Sequence, residues 1–211
     1  MEKIIMNTID EALSIKTKKA KEEIENDKSS DKELLLEIQS AKGDTEIALK
    51  IAQDLHCSNI AIRTHADGEM DTAGTILAAI GEPGHRKAKP GAKFRCTDGE
   101  PYDKDAKLDD LDSKDQAVYD ALSELTGKPK KILEKILSAE EISSTSAIRC
   151  GIIDETDGFK SKYKNKIEPK KGSSNTNTEN LNDTKDENQN VETSNSDQSQ
   201  QPTKRGRRIK N

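Results

Sequence analysis

The sequence predicts a mainly α fold: a small multi-helix domain with a long Gly/Pro-rich loop and a disordered polar C-terminal tail. Three observations support this prediction. Apolar residues recur every three to four positions over much of the first 158 residues, which is the spacing of one helix face. Glycine and proline recur between residues 81 and 107, where no helical period is visible. Residues 173–201 contain almost no apolar side chain, so they cannot bury enough surface to offset the entropy of ordering.

Composition limits the size of the folded part. Hydrophobic residues make up 30% of the 211 residues and charged residues 36%, against about 45–50% and about 25% in ordinary domains. Aromatic residues are only 2%, and there is no tryptophan. One modest domain with mobile ends is the expected result. The net charge of −5 is small, so the distribution of charge is more informative than the sum.

The first segment, residues 1–27, is predicted to be a helix. Ile5, Ile9 and Leu13 recur every fourth residue, which places them on one face over residues 2–26. Such a narrow apolar stripe is weak alone. We therefore expect either a homo-oligomer through residues 2–26 or a solvated, frayed helix.

The second segment, residues 30–158, is predicted to be the helical domain. Ser30 and Glu33 have capping-box spacing, and the apolar run that follows would form a helix ended by Gly43. Asp44 would begin a second helix and complete a helical hairpin, and Asp71 would begin a third helix, ended by Gly81. Residues 59–64 alternate as a strand does, but the run is short.

Residues 113–153 are predicted to form a three-helix unit within this domain. Ser113 and Gln116 mark the first helix, Gly127 ends it, and Pro129 suits the start of the second. Ser138 and Glu141 would open the third. The arrangement suits a helix-turn-helix DNA-binding unit as well as a simple core. The acidic residues that flank the third helix favour the core.

The loop of residues 81–112 separates positive from negative charge. Residues 85–95 are free of acidic side chains and include one aromatic side chain, as is typical of a contact with a phosphate backbone. The second half of the loop is acidic. The candidate nucleic-acid-binding residues of this loop are Arg86, Lys87, Lys89, Lys93, Phe94 and Arg95.

The tail, residues 159–211, is predicted to be disordered, with basic runs at 160–171 and 204–210. A concentrated basic cluster at a terminus is typical of a nucleic-acid patch or a nuclear-localisation signal, although it can also be a solubilising tail. The candidate contact residues of the tail are Lys204, Arg205, Arg207 and Arg208.

Catalytic and metal-binding patterns are absent from the sequence. His56, Cys57, His65 and Cys96 match no structural zinc spacing, so we expect no metal and no cofactor. Carboxylates cluster near His65, from Asp67 to Asp71, but no motif supplies a nucleophile or a pocket. We therefore expect no catalytic residues and no enzyme. Three widely spaced cysteines and no long apolar run indicate an intracellular protein, in the cytoplasm or nucleus, without a membrane partner.

Two functions follow from these patterns. The first is a non-enzymatic nucleic-acid-associated protein that binds DNA or RNA through the basic loop and tail, largely independently of sequence. The alternative is a protein–protein adaptor or assembly factor that uses the N-terminal helix and the three-helix unit. In outline this layout is similar to viral polymerase cofactors and phage scaffolding proteins. For either function the partner would be a nucleic acid, another protein, or both.

Overall fold

The computed structural model describes residues 2–27 and 32–156, together with the backbone of residues 159 and 160. Six strands form the main sheet in the order β1-β2-β3-β5-β8-β9. The first five are parallel to their neighbours, and β9 is antiparallel to β8. The strands are β1 (Glu2–Ile9), β2 (Glu33–Gly43), β3 (Ala61–Asp67), β5 (Arg86–Ala88), β8 (Glu155–Thr156) and β9 (Phe159–Lys160).

Three helices connect the parallel strands. They are α1 (Glu11–Asn26) between β1 and β2, α2 (Thr45–His56) between β2 and β3, and α3 (Thr72–Ala79) between β3 and β5. Parallel neighbours need such crossovers because the chain must return to the end of the sheet where the previous strand began. The fold is therefore an α/β fold with a parallel sheet, and the prediction of a mainly α multi-helix domain is wrong.

A second, small sheet and the remaining helices follow in the chain. The second sheet has the order β4-β6-β7, formed by Glu69–Met70, Lys93–Phe94 and Ile142–Ser143. The later helices are α4 (Ser113–Thr126), α5 (Lys130–Leu133) and α6 (Ser144–Cys150), with short 3₁₀ turns at Leu108–Asp110 and Glu134–Ile136. One continuous core of buried apolar residues joins these elements to the main sheet.

The predicted helix over residues 2–26 is wrong in its first third. Residues 2–9 form β1, in which Ile4 and Met6 are buried while Ile5 between them is 47% exposed. This is the period of a strand, because successive side chains of a strand point to opposite faces. The strand pairs with β2, so residues 2–9 belong to the same sheet as residues 33–43.

The predicted helix that ends at Gly43 is also a strand, and the helical hairpin is wrong. Leu34, Leu36 and Ile38 are fully buried and alternate with less buried neighbours. β2 pairs with β1 on one side and β3 on the other. A short apolar run suits a buried strand and a helix equally well, and only pairing on both sides decides between them.

Several boundaries agree with the sequence. Asp44 and Asp71 cap α2 and α3 through their side chains, as expected. Gly127 ends α4 in the left-handed region at φ 63°, where a glycine is favoured. Helices α4, α5 and α6 fall within the predicted three-helix unit, but Ile142 lies in β7, and Ser143, not Ser138, caps α6.

The Gly/Pro-rich loop is partly regular. Residues 86–88 and 93–94 are strands β5 and β6, which belong to the two different sheets. The predicted disordered tail, with its basic runs at 160–171 and 204–210, lies outside the described residues apart from the backbone of residue 160.

Candidate functional site

A cleft of about 730 Å³ lies where three helices begin. The starts of α2, α3 and α4 contribute to its wall, together with the segment that follows β6. Helix N-termini carry free backbone N–H groups and a partial positive charge, so a cleft built from them suits polar ligands. Its lining residues are Gly43, Asp44, Thr45, Glu46, Leu49, Asp71, Thr72, Arg95, Thr97, Asp98, Ser113, Lys114 and Ala117.

Asp71 joins two of these helix starts. Its Oδ1 accepts a hydrogen bond from the Gly74 N–H at 2.9 Å, which caps α3. Its Oδ2 accepts one from the Gly43 N–H at 2.7 Å, at the end of β2. A single carboxylate therefore occupies two main-chain donors, of which the Gly43 N–H belongs to a residue that lines the cleft. An anionic oxygen of a ligand at this position would compete with Asp71 for the Gly43 N–H.

Gly43 is required by a close approach of backbone. A Cβ atom at this position would lie 2.1 Å from the carbonyl oxygen of Ile9. The next backbone group, the Asp44 N–H, donates to that same carbonyl oxygen at 3.0 Å. The ends of β1 and β2 are thereby held together at the entrance to α2, which fixes one wall of the cleft.

Thr72 lines the cleft as the first residue of α3. The residue is 1% exposed, and its Oγ1 is buried without a hydrogen bond to any described residue. Buried hydroxyls are normally hydrogen-bonded, since leaving one unpaired costs about 1–3 kcal/mol. Thr75, Tyr119 and Thr156 also have such a hydroxyl, but of these four residues only Thr72 lines the cleft.

Asp98 also lines the cleft and is held by two groups. Its Oδ1 accepts the Thr45 hydroxyl at 2.7 Å, and its N–H donates to Asp115 Oδ1 at 3.0 Å. The buried Asp115 accepts the Tyr102 hydroxyl at 3.0 Å through Oδ2. Burial, with a lesser contribution from Asp115, raises the pKa of the Tyr102 phenol, so this donor stays protonated at neutral pH.

The cysteines do not supply a nucleophile to the cleft. Burial raises the pKa of the Cys96 thiol, and the neighbouring Cys150 adds to that effect. Burial also raises the pKa of Cys150, against the smaller opposing effect of Lys128, Lys135 and Arg149. A thiol must be deprotonated to act as a nucleophile, so neither buried cysteine is reactive. Cys57 is exposed and lies outside the cleft.

Histidines are also absent from the cleft. His56 ends α2, His65 lies on β3, and His85 precedes β5. None of the three makes a hydrogen bond from its side chain to a residue that the structure describes. A triad of serine, histidine and carboxylate is recognised by its geometry, and residues 2–27 and 32–156 do not form one. Within these residues, no group of three or more histidine, cysteine or acidic side chains is placed to hold a metal ion.

The structure gives the predicted nucleic-acid-binding residues of the loop other contacts. Arg86 is fully buried and pairs with Asp154 at 2.8 Å, and Phe94 is a buried core residue. The remaining four form ion pairs: Lys87 with Glu155, Lys89 with Asp67, Lys93 with Glu69 and Glu141, and Arg95 with Glu140. Lys204, Arg205, Arg207 and Arg208 lie outside the described residues.

Of all the residues singled out in the sequence, only Asp71, Arg95, Asp44, Gly43 and Ser113 line the cleft. Asp71 and Asp44 could be identified as helix caps from the sequence. Thr72 and Asp98 carry no local signal, because their importance comes from segments that lie far apart in the chain.

Comparisons with known proteins give a consistent result. The model of the family described as Clp protease matches residues 5–157. A crystal structure of a peptidase from Plasmodium falciparum superposes with a TM-score of 0.57 at 17% identity, covering 73% of this chain and 94% of that one. The ClpP protease catalytic domain from Plasmodium falciparum gives a TM-score of 0.57 at 18% identity, covering 74% and 84%. No curated protein matches the chain.

These comparisons overturn the functional predictions from the sequence. A match to a protease family over residues 5–157 contradicts both the nucleic-acid-binding hypothesis and the adaptor or scaffold hypothesis, including the likeness to viral proteins. It also contradicts the expectation that the protein is not an enzyme.

In the part of the chain that the structure describes, none of the helices has the length and apolar character needed to cross a membrane.

Proposed function

Because the chain belongs to the Clp protease family, we propose that it acts in peptide hydrolysis and that the cleft at the starts of α2, α3 and α4 holds the peptide. The observation that supports this site best is Thr72. Its hydroxyl is buried, lacks a hydrogen-bond partner among the described residues, and stands at the N-terminus of α3, directly after Asp71, whose carboxylate accepts the Gly43 N–H. A hydroxyl and a main-chain donor together are what acyl transfer requires.

The reaction at Thr72 would proceed through an ester. The Thr72 oxygen bonds to the peptide carbonyl carbon, and its proton passes to water in the cleft. The C–N bond then breaks, and the leaving amine takes up a proton. Water hydrolyses the ester and restores the hydroxyl. Since Oγ1 is buried in this structure, the side chain must first rotate about χ1 to face the cleft.

The same geometry predicts a slow reaction. No histidine is hydrogen-bonded to Thr72, and a positioned general base contributes about 10²–10⁴-fold to such reactions. The Gly43 N–H is taken by Asp71, so it stabilises a developing oxyanion only after that carboxylate moves. We expect peptide turnover to be lower than that of a serine–histidine peptidase by about the contribution of the missing base.

Fluorogenic peptides incubated with the purified full-length protein test this function. We expect slow cleavage that Thr72→Ala abolishes and Thr72→Ser retains, because serine keeps the hydroxyl. Ser113→Ala tests the other cleft hydroxyl, and Thr145→Ala, on α6 away from the cleft, is the control. Cleavage that survives Thr72→Ala, or that is lost in Ser113→Ala, would overturn the assignment of Thr72. Peptide binding without any cleavage would refute hydrolysis by this chain and leave the cleft as a binding site.

We also propose that the protein works as a homo-oligomer, as Clp proteases do. Residues 2–26 remain our candidate interface. They form β1, at the edge of the main sheet, and α1, and they expose the two large apolar side chains Ile5 and Ile15, at 47% and 64%. Light scattering should give a mass above that of one chain, and Ile15→Glu should lower it. An unchanged mass in Ile15→Glu would exclude this interface.

A further inference from the structure

The charged side chains that line the cleft differ in how many hydrogen bonds or ion pairs they already make. Four carboxylates line it, from Asp44, Glu46, Asp71 and Asp98, together with the basic side chains of Arg95 and Lys114. Two of the carboxylates are held by backbone donors. Asp44 Oδ1 accepts from the N–H groups of Glu46 and Ile47, and Asp71 accepts from Gly43 and Gly74. These two mainly neutralise the positive ends of α2 and α3.

Each of the other two carboxylates has at least one oxygen that accepts no hydrogen bond from the described residues. Glu46 is exposed on the first turn of α2, and its carboxylate makes no hydrogen bond or ion pair with the residues that the structure describes. Asp98 uses Oδ1 for the Thr45 hydroxyl, while its Oδ2 has no hydrogen bond within the same part of the chain. Thr45 is bonded to Asp98 and precedes Glu46 in sequence, so the two carboxylates lie at the same end of the cleft.

The basic side chains balance these carboxylates only in part. Arg95 Nη2 is directed to Glu140 Oε1 at 3.3 Å, which is not part of the cleft lining. Lys114, on the first turn of α4, is the remaining cation. Four carboxylates therefore share the cleft with two cations, and one of these, Arg95, also pairs with Glu140 outside the lining. Thr72, in the same wall, has a buried hydroxyl without a hydrogen-bond partner among the described residues, and a polar ligand in the cleft reaches it only after the side chain rotates.

We propose that the cleft selects peptide segments that carry a lysine or arginine side chain, whose cation lies between the carboxylates of Glu46 and Asp98. This inference rests on the proposed peptide-binding role of the cleft and adds its substrate class. Asp98 is held in place by Thr45 and by its main-chain bond to Asp115, so it offers a fixed acceptor. Glu46, on a regular helix, supplies the second charge.

The expected preference is moderate because both carboxylates are exposed. Exposed charge pairs contribute little individually, and two of them correspond to roughly a 3- to 30-fold difference in dissociation constant. Added salt should reduce the preference, since exposed charges are screened.

Three labelled peptides of one sequence, with a central lysine, methionine or glutamate, test the proposal by fluorescence anisotropy with the full-length protein. The lysine peptide should bind most tightly and the glutamate peptide least. Glu46→Gln and Asp98→Asn should each reduce that difference, while an asparagine at 98 keeps an acceptor for Thr45. Glu82→Gln removes an exposed carboxylate outside the cleft and should leave the difference unchanged.

The outcomes separate this inference from the proposed function. Equal binding of the three peptides, or an unchanged lysine preference in both cleft variants, would overturn the inference alone. Failure of all three peptides to bind would overturn the peptide-binding cleft itself and the inference with it. Cleavage of the same peptides, followed by mass spectrometry, reports hydrolysis independently of the binding preference.

Discussion

Arg86 and Asp154 form a buried ion pair with two parallel hydrogen bonds. The Arg86 Nε donates to Asp154 Oδ2 at 2.8 Å, and Nη2 donates to Oδ1 at 2.8 Å. The guanidinium is fully buried, and its Nη1 also donates to the Leu125 carbonyl oxygen at 3.3 Å. The pair ties β5 to the segment before β8 and to the end of α4. Arg86 therefore stabilises the fold and is unavailable to a ligand.

Removing one partner of this pair should be strongly destabilising. Asp154→Ala leaves a buried guanidinium without its carboxylate, and such changes cost about 3–5 kcal/mol. Lys87→Met is the control, because it removes the neighbouring exposed pair with Glu155, which is worth about 0–1 kcal/mol. Urea unfolding curves measure both. Equal losses for the two variants would show that burial of Arg86 has no particular energetic consequence.

The hydroxyl of Thr72 should lower stability in the absence of substrate. Thr72→Val removes a buried, unpartnered hydroxyl while keeping the shape, so the free energy of unfolding should stay the same or rise by up to about 1–3 kcal/mol. Thr64→Val is the matched comparison, since Thr64 Oγ1 is also buried but donates to the Ala78 carbonyl oxygen at 2.8 Å. That variant should lose about 0.5–1.5 kcal/mol. Similar losses for both would mean that Thr72 has a partner in solution.

Gly43 should tolerate no side chain. In Gly43→Ala the new Cβ would meet the Ile9 carbonyl oxygen at 2.1 Å, so the backbone must shift at a cost of about 1–3 kcal/mol. The shift would also disturb the Gly43–Asp71 hydrogen bond and thereby the cleft. Gly99→Ala is the control, because nothing lies within 4 Å of its added Cβ. Thermal unfolding and peptide binding are the two measurements, and a Gly43→Ala protein unchanged in both contradicts the prediction.

Stability should fall as the pH rises above about 8.5. Burial raises the pKa of Cys96 and Cys150 above the ordinary thiol value of 9.0. Above that value the unfolded thiols lose protons that the folded ones keep, so the free energy of unfolding declines by up to about 1.4 kcal/mol per pH unit per thiol. This contribution is complete well below the unfolded thiol value of 9.0 and is lost progressively as the pH rises through it.

Urea midpoints between pH 7 and 10 measure this slope. Cys96→Ala and Cys150→Ala should each make the decline shallower, whatever they do to stability at pH 7. The exposed Cys57 provides the control, since Cys57→Ala should leave the slope unchanged. An identical slope in all four proteins would refute a role for the buried thiols.

Two helix starts were predicted from the side chain that caps them, whereas the caps of α1, α4 and α6, at Asp10, Asp112 and Ser143, were not. Asp44 and Asp71 were identified because an Asp before an apolar helix accepts hydrogen bonds from N–H groups two or three residues later. Gly127 and Gly151 end helices with a positive φ, which is again a local property. These signals depend only on neighbours in the chain.

Strands β1 and β2 were mistaken for helices for a physical reason. Ile5, Ile9 and Leu13 fit a helical spacing, whereas the buried Ile4 and Met6 fit a strand, and the sequence does not say which set faces the core. In β2 the run from Leu34 to Ile38 suits either element. The decision comes from pairing with strands more than twenty residues away in the chain, which gives the backbone of β2 partners on both sides and that of β1 partners on one side.

The sequence by itself therefore determined the caps Asp44 and Asp71, the helix end at Gly127 and the helical character of residues 45–56, 72–79 and 113–126, because these depend on local hydrogen bonding and spacing. Only the tertiary structure decided the parallel sheet, the burial of Arg86 and the cleft. The cleft joins Gly43 to Asp71 and Thr45 to Asp98, pairs separated by 28 and 53 residues. Contacts between such distant segments are set by how the sheet is assembled, and no local pattern encodes them.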